Sequence, residues 1–205
     1  MTESDFAPIL TIAIPTVSGR EAQLEHLLTD CLFEQLRYTP EAIVLIEKDN
    51  KEMTIGAKRQ LLLDNVTTPY FVMVDDDDTL APDYVKEVLA AIEREQPDCI
   101  GYLESIIQQG QKEKLAIHSD RYREWGNGHD GYGYVRTIFY KDVIKTDIAR
   151  QVGFDVTMRY GEDHDFARRL KASGLLIKEV FLPRIMYYYN APNGSESHKE
   201  RYGIK

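Results

Sequence analysis

The sequence predicts a single α/β domain with a mostly parallel, doubly wound sheet and helices on both of its faces. Short apolar segments alternate along the first half of the chain with longer segments that have helical periodicity. Such a β-α-β-α-β-α-β order is typical of parallel sheets. Four consecutive aspartates directly follow one of the apolar segments. Because ligands of doubly wound sheets bind outside the carboxyl ends of the strands, this junction is the first candidate site.

The strands are predicted from short apolar segments that are rich in β-branched and aromatic residues. The first segment, 9–14 (ILTIAI), is expected to end at Pro15, because proline cannot donate a hydrogen bond to a sheet. The other predicted strands are 42–46, 70–74, 98–107 and 180–189.

The helices are predicted where apolar residues recur every three or four positions. One of them is expected to start near Pro82, because proline is tolerated in a first helical turn. The segment 118–134, which is rich in aromatic residues and glycine, is expected to form an ordered, irregular binding loop. The other predicted helices are 21–36, 55–65, 143–152 and 163–173.

Length, charge and composition limit the class of protein. With 205 residues, of which 43% are hydrophobic, the chain is long enough for one domain with a full core. The net charge of −9 argues against a general affinity for nucleic acid or for anionic membranes. Cys31 and Cys99 lack the spacing of a zinc site, and we expect two free thiols. Neither a signal peptide nor a run of about 20 apolar residues is visible, so we expect a cytoplasmic protein without a membrane span.

The aspartate run at 75–78 holds four negative charges at the end of the predicted strand 70–74. Like charges so close together are costly unless a cation, a proton or water relieves the repulsion. A hard divalent cation with oxygen ligands would do so, and it would also bind the phosphate groups of a substrate. The alternative is a solvated acidic turn before a helix, since aspartate favours turns and helix N-termini.

Further motifs occur in a fixed order around the aspartate run. They are Ile14-Pro15-Thr16, an acidic residue after the second strand, Gly56-Ala57-Lys58-Arg59, the aspartate run and Gly161-Glu162-Asp163. Together these motifs resemble those of the GT-A glycosyltransferases, most closely the inverting family 2 group, over about residues 9–190. The chain departs from that pattern at Val17-Ser18-Gly19-Arg20, where the family often has Tyr-Asn, and at Gln60, where it usually has Asn.

The resemblance implies one GT-A domain over 1–205 and a division of labour along it. About 9–107 would bind the nucleotide, about 108–190 would bind the acceptor, and 191–205 would form a C-terminal tail. The implied reaction is metal-dependent, inverting transfer of a sugar from a nucleotide diphosphate sugar, most often a UDP-sugar, to a hydroxyl acceptor. That acceptor would be a carbohydrate or another hydroxyl compound.

The resemblance also implies a manganese or magnesium ion at the aspartate run. Asp77 would ligate the ion directly, and Asp75 would contact it through water or contact the donor ribose. His198, in the tail, is a further candidate ligand, with a solvated histidine as the alternative. Asp76 would be a solvated neighbour at the donor, and Asp78 would cap the following helix.

The donor would be held by the ends of the first two strands and by the basic motif. Asp49 would accept an imide hydrogen of the nucleobase, although Glu47 competes for that role and Asp49 also suits an ordinary turn. Arg59 would pair with phosphate or with the aspartates, unless it is a solvated helix arginine. The other predicted donor-binding residues are Pro15, Thr16 and Lys58.

Asp163 is the candidate general base. An inverting transfer needs one carboxylate to remove the acceptor proton while the anomeric carbon is attacked from the opposite face. Glu162 would orient the acceptor. The alternative is that Glu162, Asp163 and Asp165 merely place negative charge in the first turn of a helix, which stabilises its dipole.

The acceptor would contact the segment 118–134. Trp125 and Tyr132 would stack on a sugar or a base, and His129 lies between them in the sequence. The alternative for the two aromatic residues is a small core of their own beneath a long loop.

Three other functions remain open. A calcium- or sugar-binding module would need alternating ligands followed by glycine, which the aspartate run lacks. A nucleotidyltransferase or phosphoesterase would need a glycine-rich phosphate loop, and 15–20 contains a single glycine. Glycosylation of a modified DNA base, as in phage enzymes, would need a local basic patch. The residues available for that patch are Arg121, Arg123, Arg136, Lys141 and Lys145.

Overall fold

The structure of the protein, a computed structural model, describes residues 7–108, 112–128 and 130–191. None of the helices in these ranges is long and apolar enough to cross a membrane. The strands are β1 (Leu10–Val17), β2 (Ala42–Asp49), β3 (Tyr70–Met73), β4 (Thr79–Leu80), β5 (Cys99–Gln108), β6 (Lys114–His118), β7 (Gly126–Asn127), β8 (Tyr134–Arg136), β9 (Val143–Lys145) and β10 (Glu179–Ala191). The helices are α1 (Glu21–His26), α2 (Phe33–Leu36), α3 (Ile55–Asn65), α4 (Tyr84–Glu95), α5 (Thr146–Val152) and α6 (Glu162–Ser173), and a π-helical turn (Leu27–Leu32) joins α1 to α2.

The strands of the described ranges form one mixed sheet. Its main path is β2-β1-β3-β9-β5-β6-β8-β7, and β10 pairs with β5 and β4. Strand β1 runs parallel to β2 and β3, and β10 runs parallel to β5. The α/β class predicted from the alternating pattern is therefore confirmed.

Strand β9 enters the sheet between β3 and β5 and runs antiparallel to both. Strands β3 and β5 nevertheless run in the same direction, as the alternating pattern predicts. The sheet is mixed because β6 is also antiparallel to β5, β7 to β8 and β4 to β10. The predicted helix 143–152 is wrong over its first 3 residues, which form β9. Val143 and Ile144 are fully buried, and periodicity alone cannot tell a short buried strand from the apolar start of a helix.

Strand β1 continues through Pro15 to Val17, so its predicted end before the proline is wrong. Its pairing with β3 ends at Ala13 opposite Met73, whereas its pairing with β2 continues to Val17. Beyond the end of β3 one edge of β1 is unpaired, and proline is tolerated where the ladder needs no N–H. The strand thereby carries Thr16 past the end of β3.

Successive residues of the central strands face two separate cores. On one face Ile12, Ile14 and Val72 pack with the π-helical turn and α4. On the other face Ala13 and Phe71 pack with α3, α5 and α6. This alternation is the two-residue period of strands that are buried on both faces, and it confirms the predicted helices on both sides of the sheet.

Helix α3 lies directly against the segment that leads into α6. Its second residue is Gly56, whose N–H donates to the carbonyl oxygen of Met158 over 3.1 Å. A β-carbon on Gly56 would lie 2.0 Å from the carbonyl oxygen of Asp155. Only glycine permits so close an approach, which brings the basic motif on α3 and the first turn of α6 to the same place.

We expect Gly56→Ala to lower the free energy of unfolding by about 1–3 kcal/mol, the usual cost of overpacking. Helix propensity alone predicts the opposite sign, a gain of about 0.5–1 kcal/mol. Urea denaturation followed by circular dichroism measures the difference. A variant as stable as the parent, or more stable, would contradict the close packing of α3 on the segment before α6.

Candidate active site

A cavity of about 960 Å³ opens at the carboxyl ends of β1 and β3. The aspartate run, the first turn of α6 and Glu104 on β5 contribute acidic groups. The loop after β1, helix α3 and strand β8 contribute basic groups. The cavity therefore lies where a doubly wound sheet is expected to bind its ligands.

Asp75 is held at the cavity by two neighbours. Its Oδ1 accepts a hydrogen bond from Arg59 Nη2 over 2.9 Å, and its Oδ2 accepts one from the Tyr140 hydroxyl over 2.9 Å. Burial alone would raise the pKa of Asp75, but the charges of Arg59 and Lys141 lower it to about 2. The carboxylate is therefore fixed as an anion with both oxygens engaged.

Asp76 and Asp77 share one cation, Arg20. Arg20 Nη2 lies 2.8 Å from Asp76 Oδ1 and also contacts Asp77 Oδ2. Asp76 is not the solvated neighbour expected from the sequence, because it is buried and accepts a hydrogen bond from the Thr16 hydroxyl over 2.6 Å. Its burial raises its pKa. The side chain of Asp77 is 29% exposed and faces the cavity.

Asp78 does not cap the following helix, which corrects the expectation from the sequence. Helix α4 begins after Asp83 without a side-chain cap. The carboxylate of Asp78 is buried, where Lys141 Nζ lies 2.9 Å away and the Tyr187 hydroxyl donates over 2.7 Å. Burial raises the pKa of Asp78 to about 7, against the opposing charge of Lys141. Asp78 thus joins the aspartate run to β10.

Lys58 ties the end of β1 to the end of β2. Its ammonium donates to the carbonyl oxygen of Thr16 over 2.5 Å and contacts Asp49 Oδ1. The other oxygen of Asp49 accepts from the Met53 N–H over 2.8 Å. Burial opposes ionisation, but Lys58 lowers the pKa of Asp49. Glu47 lies opposite Pro15 in the parallel register of β1 and β2, two residues before Asp49.

Arg59 joins the two acidic parts of the cavity. Besides its bond to Asp75, its Nε donates to Glu162 Oε1 over 3.1 Å. Its guanidinium carbon lies 3.5 Å from the centroid of the Tyr140 ring. The side chain is buried, so it is not the solvated helix arginine that the sequence allowed.

Glu162 and Asp163 are the first two residues of α6, and they differ in exposure. Glu162 is buried against Arg59, and burial raises its pKa. Asp163 is half-buried on the cavity wall, and its Oδ1 accepts from the His164 N–H over 2.7 Å. Gly161, at a positive φ of 76°, makes the turn that starts the helix.

The two predicted acceptor-binding residues that the structure describes, Trp125 and Tyr132, lie in different places relative to the cavity. Trp125 lines the cavity. Its ring is edge-on to that of Phe139, with 5.1 Å between the ring centroids, and the guanidinium carbon of Arg136 lies 4.7 Å from the Trp125 ring centroid. Tyr132 is half-buried and is not among the described residues that line the cavity. His129 and His198 lie outside the residues that the structure describes.

A buried chain of charges behind the cavity was not predicted. His118 lies between Asp142, 3.0 Å from its Nδ1, and Glu104, 3.3 Å from its Nε2. Glu104 in turn contacts Lys141 over 3.2 Å, and both of these residues line the cavity. Burial would lower the pKa of His118, but the two carboxylates raise it to about 9. No local motif marks these residues, since β5, β6 and the segment before β9 bring them together.

The carboxylates of the aspartate run suit a hard divalent cation in ligand type. Within the described ranges no three His, Cys, Asp or Glu side chains are grouped closely enough to hold a metal on their own. Magnesium sites often use one or two carboxylates together with substrate phosphates and water. Asp77, with its exposed edge on the cavity, fits a site of that kind.

Comparison with known proteins identifies the family of the chain. A model of the family described as "Glycosyl transferase family 2" matches residues 29–160. A search of curated proteins finds no match.

Solved structures with the same fold include S. aureus TarS. Its 1–349 fragment in complex with UDP-GlcNAc aligns with a TM-score of 0.64 and 15% identity over 94% of this chain and 60% of that one. The same fragment in complex with UDP gives a TM-score of 0.62 and 14% identity over 89% of this chain and 60% of that one. The chain thus spans about 60% of the length of these structures, and at such low identity the likeness shows the fold.

The buried charge chain predicts a pH-dependent contribution to stability. The pKa of His118 rises from 6.5 to about 9 on folding, so its stabilising effect is complete below pH 6.5 and is lost as the pH rises to about 9. The destabilisation caused by His118→Gln should therefore shrink by roughly 2–3 kcal/mol across that interval, at about 1.4 kcal/mol per pKa unit. Urea denaturation of both proteins at several pH values measures it.

His26→Gln is the matched control, because it removes an exposed histidine that pairs with Asp30 over 2.6 Å. Exposed pairs contribute little, so this variant should stay close to the parent at every pH. A cost of His118→Gln that does not vary with pH would show that the imidazole is neutral in the folded protein.

Proposed function

The chain belongs to glycosyl transferase family 2, and we propose that it is a metal-dependent, inverting glycosyltransferase. It would move a sugar from a nucleotide diphosphate sugar to a hydroxyl acceptor. One observation carries the proposal: Arg59 joins Asp75, in the aspartate run, to Glu162, beside the candidate base, at a single cavity. The residues proposed to bind the donor and the residue proposed to activate the acceptor would thereby act on a donor and an acceptor bound in the same cavity.

A uridine nucleotide is the proposed donor group. The S. aureus TarS structures with UDP-GlcNAc and with UDP support this choice at the level of fold. Asp49 is the proposed acceptor for the imide hydrogen of the base. It is not among the described residues that line the cavity, but Lys58 connects it to Thr16 on the cavity wall. Glu47 lacks such a connection among the contacts of the described residues.

Asp77 is the proposed direct ligand of manganese or magnesium, and Asp75 supports the site. Both oxygens of Asp75 are engaged by Arg59 and Tyr140, which suits contact through water better than direct ligation. When bound, the ion would neutralise the diphosphate and make it a better leaving group. His198 stays a proposal of the sequence as a further ligand.

Asp163 is the proposed general base. A carboxylate oxygen of Asp163 would take the proton of the acceptor hydroxyl. At the same time the hydroxyl oxygen would form a bond to the anomeric carbon, from the face opposite the diphosphate. The bond from the anomeric carbon to the phosphate oxygen breaks, and the nucleoside diphosphate leaves. Glu162 is unsuited to this role because Arg59 holds it in a buried ion pair, from which it can orient its neighbours.

A carbohydrate is the proposed acceptor rather than a DNA base. Two of the five basic residues considered for a DNA patch are engaged elsewhere: Lys141 is buried with Asp78 and Glu104, and Lys145 pairs with Asp98 over 2.8 Å. Trp125 is an aromatic residue that lines the cavity, and aromatic side chains suit the ring of a sugar.

We expect Asp77→Asn to weaken manganese-dependent binding of a UDP-sugar by roughly 10²-fold or more, because it removes a charged ligand. Calorimetric titration with a panel of nucleotide sugars, with and without manganese, measures it. Asp83→Asn is the matched control, since Asp83 pairs with Arg184 over 2.7 Å at the surface. Equal affinities for Asp77→Asn and the parent would rule out Asp77 as a ligand.

We expect Asp163→Asn to keep donor binding and to lower kcat by roughly 10²–10⁴-fold, the usual effect of removing a general base. Asp165→Asn is the matched control, because Asp165 lies in the same helical turn and pairs with Arg169 over 2.7 Å. If the acidic residues only stabilise α6, the two variants should lose activity alike. Steady-state kinetics with the donor found by calorimetry separates the two cases.

A further inference from the structure

Arg20 occupies the position of a counter-ion in the aspartate run. One nitrogen, Nη2, contacts both Asp76 and Asp77, and the side chain is 27% exposed on the cavity wall. Burial would lower the pKa of Arg20, but the neighbouring aspartates raise it, so the guanidinium is a permanent cation. The repulsion that a metal would relieve is thus already relieved in part by this side chain.

Backbone hydrogen bonds hold the turn that carries Arg20. Its N–H donates to the carbonyl oxygen of Val17 over 3.2 Å, which closes a tight turn directly after β1. Ser18 anchors the turn to β2 through its N–H, which donates to the carbonyl oxygen of Asp49 over 2.9 Å. The long side chain can therefore exchange partners within the cavity while the turn stays in place.

The two aspartates that Arg20 bridges differ in what else they contact. Asp76 is buried and also accepts a hydrogen bond from the Thr16 hydroxyl over 2.6 Å. Asp77 is the more exposed of the two and is the proposed metal ligand. A divalent cation at Asp77 would meet the positive charge of Arg20 at close range, which is unfavourable. A diphosphate in the cavity would offer Arg20 a partner of matching geometry.

We propose that Arg20 holds the Asp76–Asp77 pair in the absence of donor and transfers to the donor diphosphate when the metal binds Asp77. This inference rests on the proposed metal-dependent transfer. Metal and nucleotide would then bind cooperatively, because each favours the position of Arg20 that the other needs. Arg20 would be at once an obstacle to metal alone and a ligand for the metal-bound nucleotide.

The test measures manganese binding directly, by the electron paramagnetic resonance signal of free Mn²⁺, with and without UDP. We expect Arg20→Gln to bind manganese alone at least about tenfold more tightly than the parent, which corresponds to about 1.4 kcal/mol. At saturating manganese the same variant should bind UDP about tenfold more weakly in calorimetry. The two effects have opposite signs, which a general loss of folding cannot produce.

Two further variants make the test specific. Arg20→Lys keeps the positive charge but lacks the planar guanidinium. Its affinity for manganese alone should therefore equal that of the parent, while its affinity for UDP should be lower. Arg184→Gln removes an arginine from Asp83 at the surface and should change neither affinity. Manganese affinity of Arg20→Gln equal to or below that of the parent would overturn the role of Arg20 and leave the proposed function standing. UDP binding by the parent without any manganese uptake would overturn both.

Discussion

The buried guanidinium of Arg59 is the interaction on which the rest of the cavity depends. It lies between Asp75 and Glu162 and against the ring of Tyr140. Burying such a charge is tolerated only with close, oriented partners, and removing one partner leaves an uncompensated charge. The pairing therefore fixes the relative positions of α3, the end of β3 and the start of α6. The glycine contact of α3 with the segment before α6 allows the three elements to come this close.

Cations of the protein compensate the negative charge of the aspartate run. Arg20, Arg59 and Lys141 contact the four carboxylates from three different parts of the chain. Each of the four carboxylates therefore has a cation of the protein as a partner, while the aspartates still raise one another's pKa. A metal would therefore compete with, or be added to, an existing balance of charge rather than fill an uncompensated cluster. That difference is invisible in the run itself, since each compensating residue is distant in sequence.

The sequence predicted the strands and helices whose pattern is local, and the structure confirms the α/β class they imply. It was wrong at Pro15 and at β9, where the pairing of neighbouring strands decides the outcome. Most of the residues named from motifs line one cavity in the structure. Thr16 and the aspartate run follow the ends of adjacent strands, whereas the basic motif and the start of α6 reach the cavity through the packing of α3 at Gly56. The chain His118–Glu104–Lys141 could not be predicted, because its members meet only through sheet pairing and none follows a recognisable spacing.

Each of the two acidic motifs combines a buried carboxylate with a more exposed neighbour. In α6, Glu162 is buried against a cation while the next residue, Asp163, reaches the cavity. In the aspartate run, Asp76 is buried and the next residue, Asp77, is the more exposed. Adjacent residues in a turn point in different directions, so one carboxylate can anchor the backbone while its neighbour stays available. The anchored member limits the freedom of the available one, which favours precise positioning at the reacting atoms.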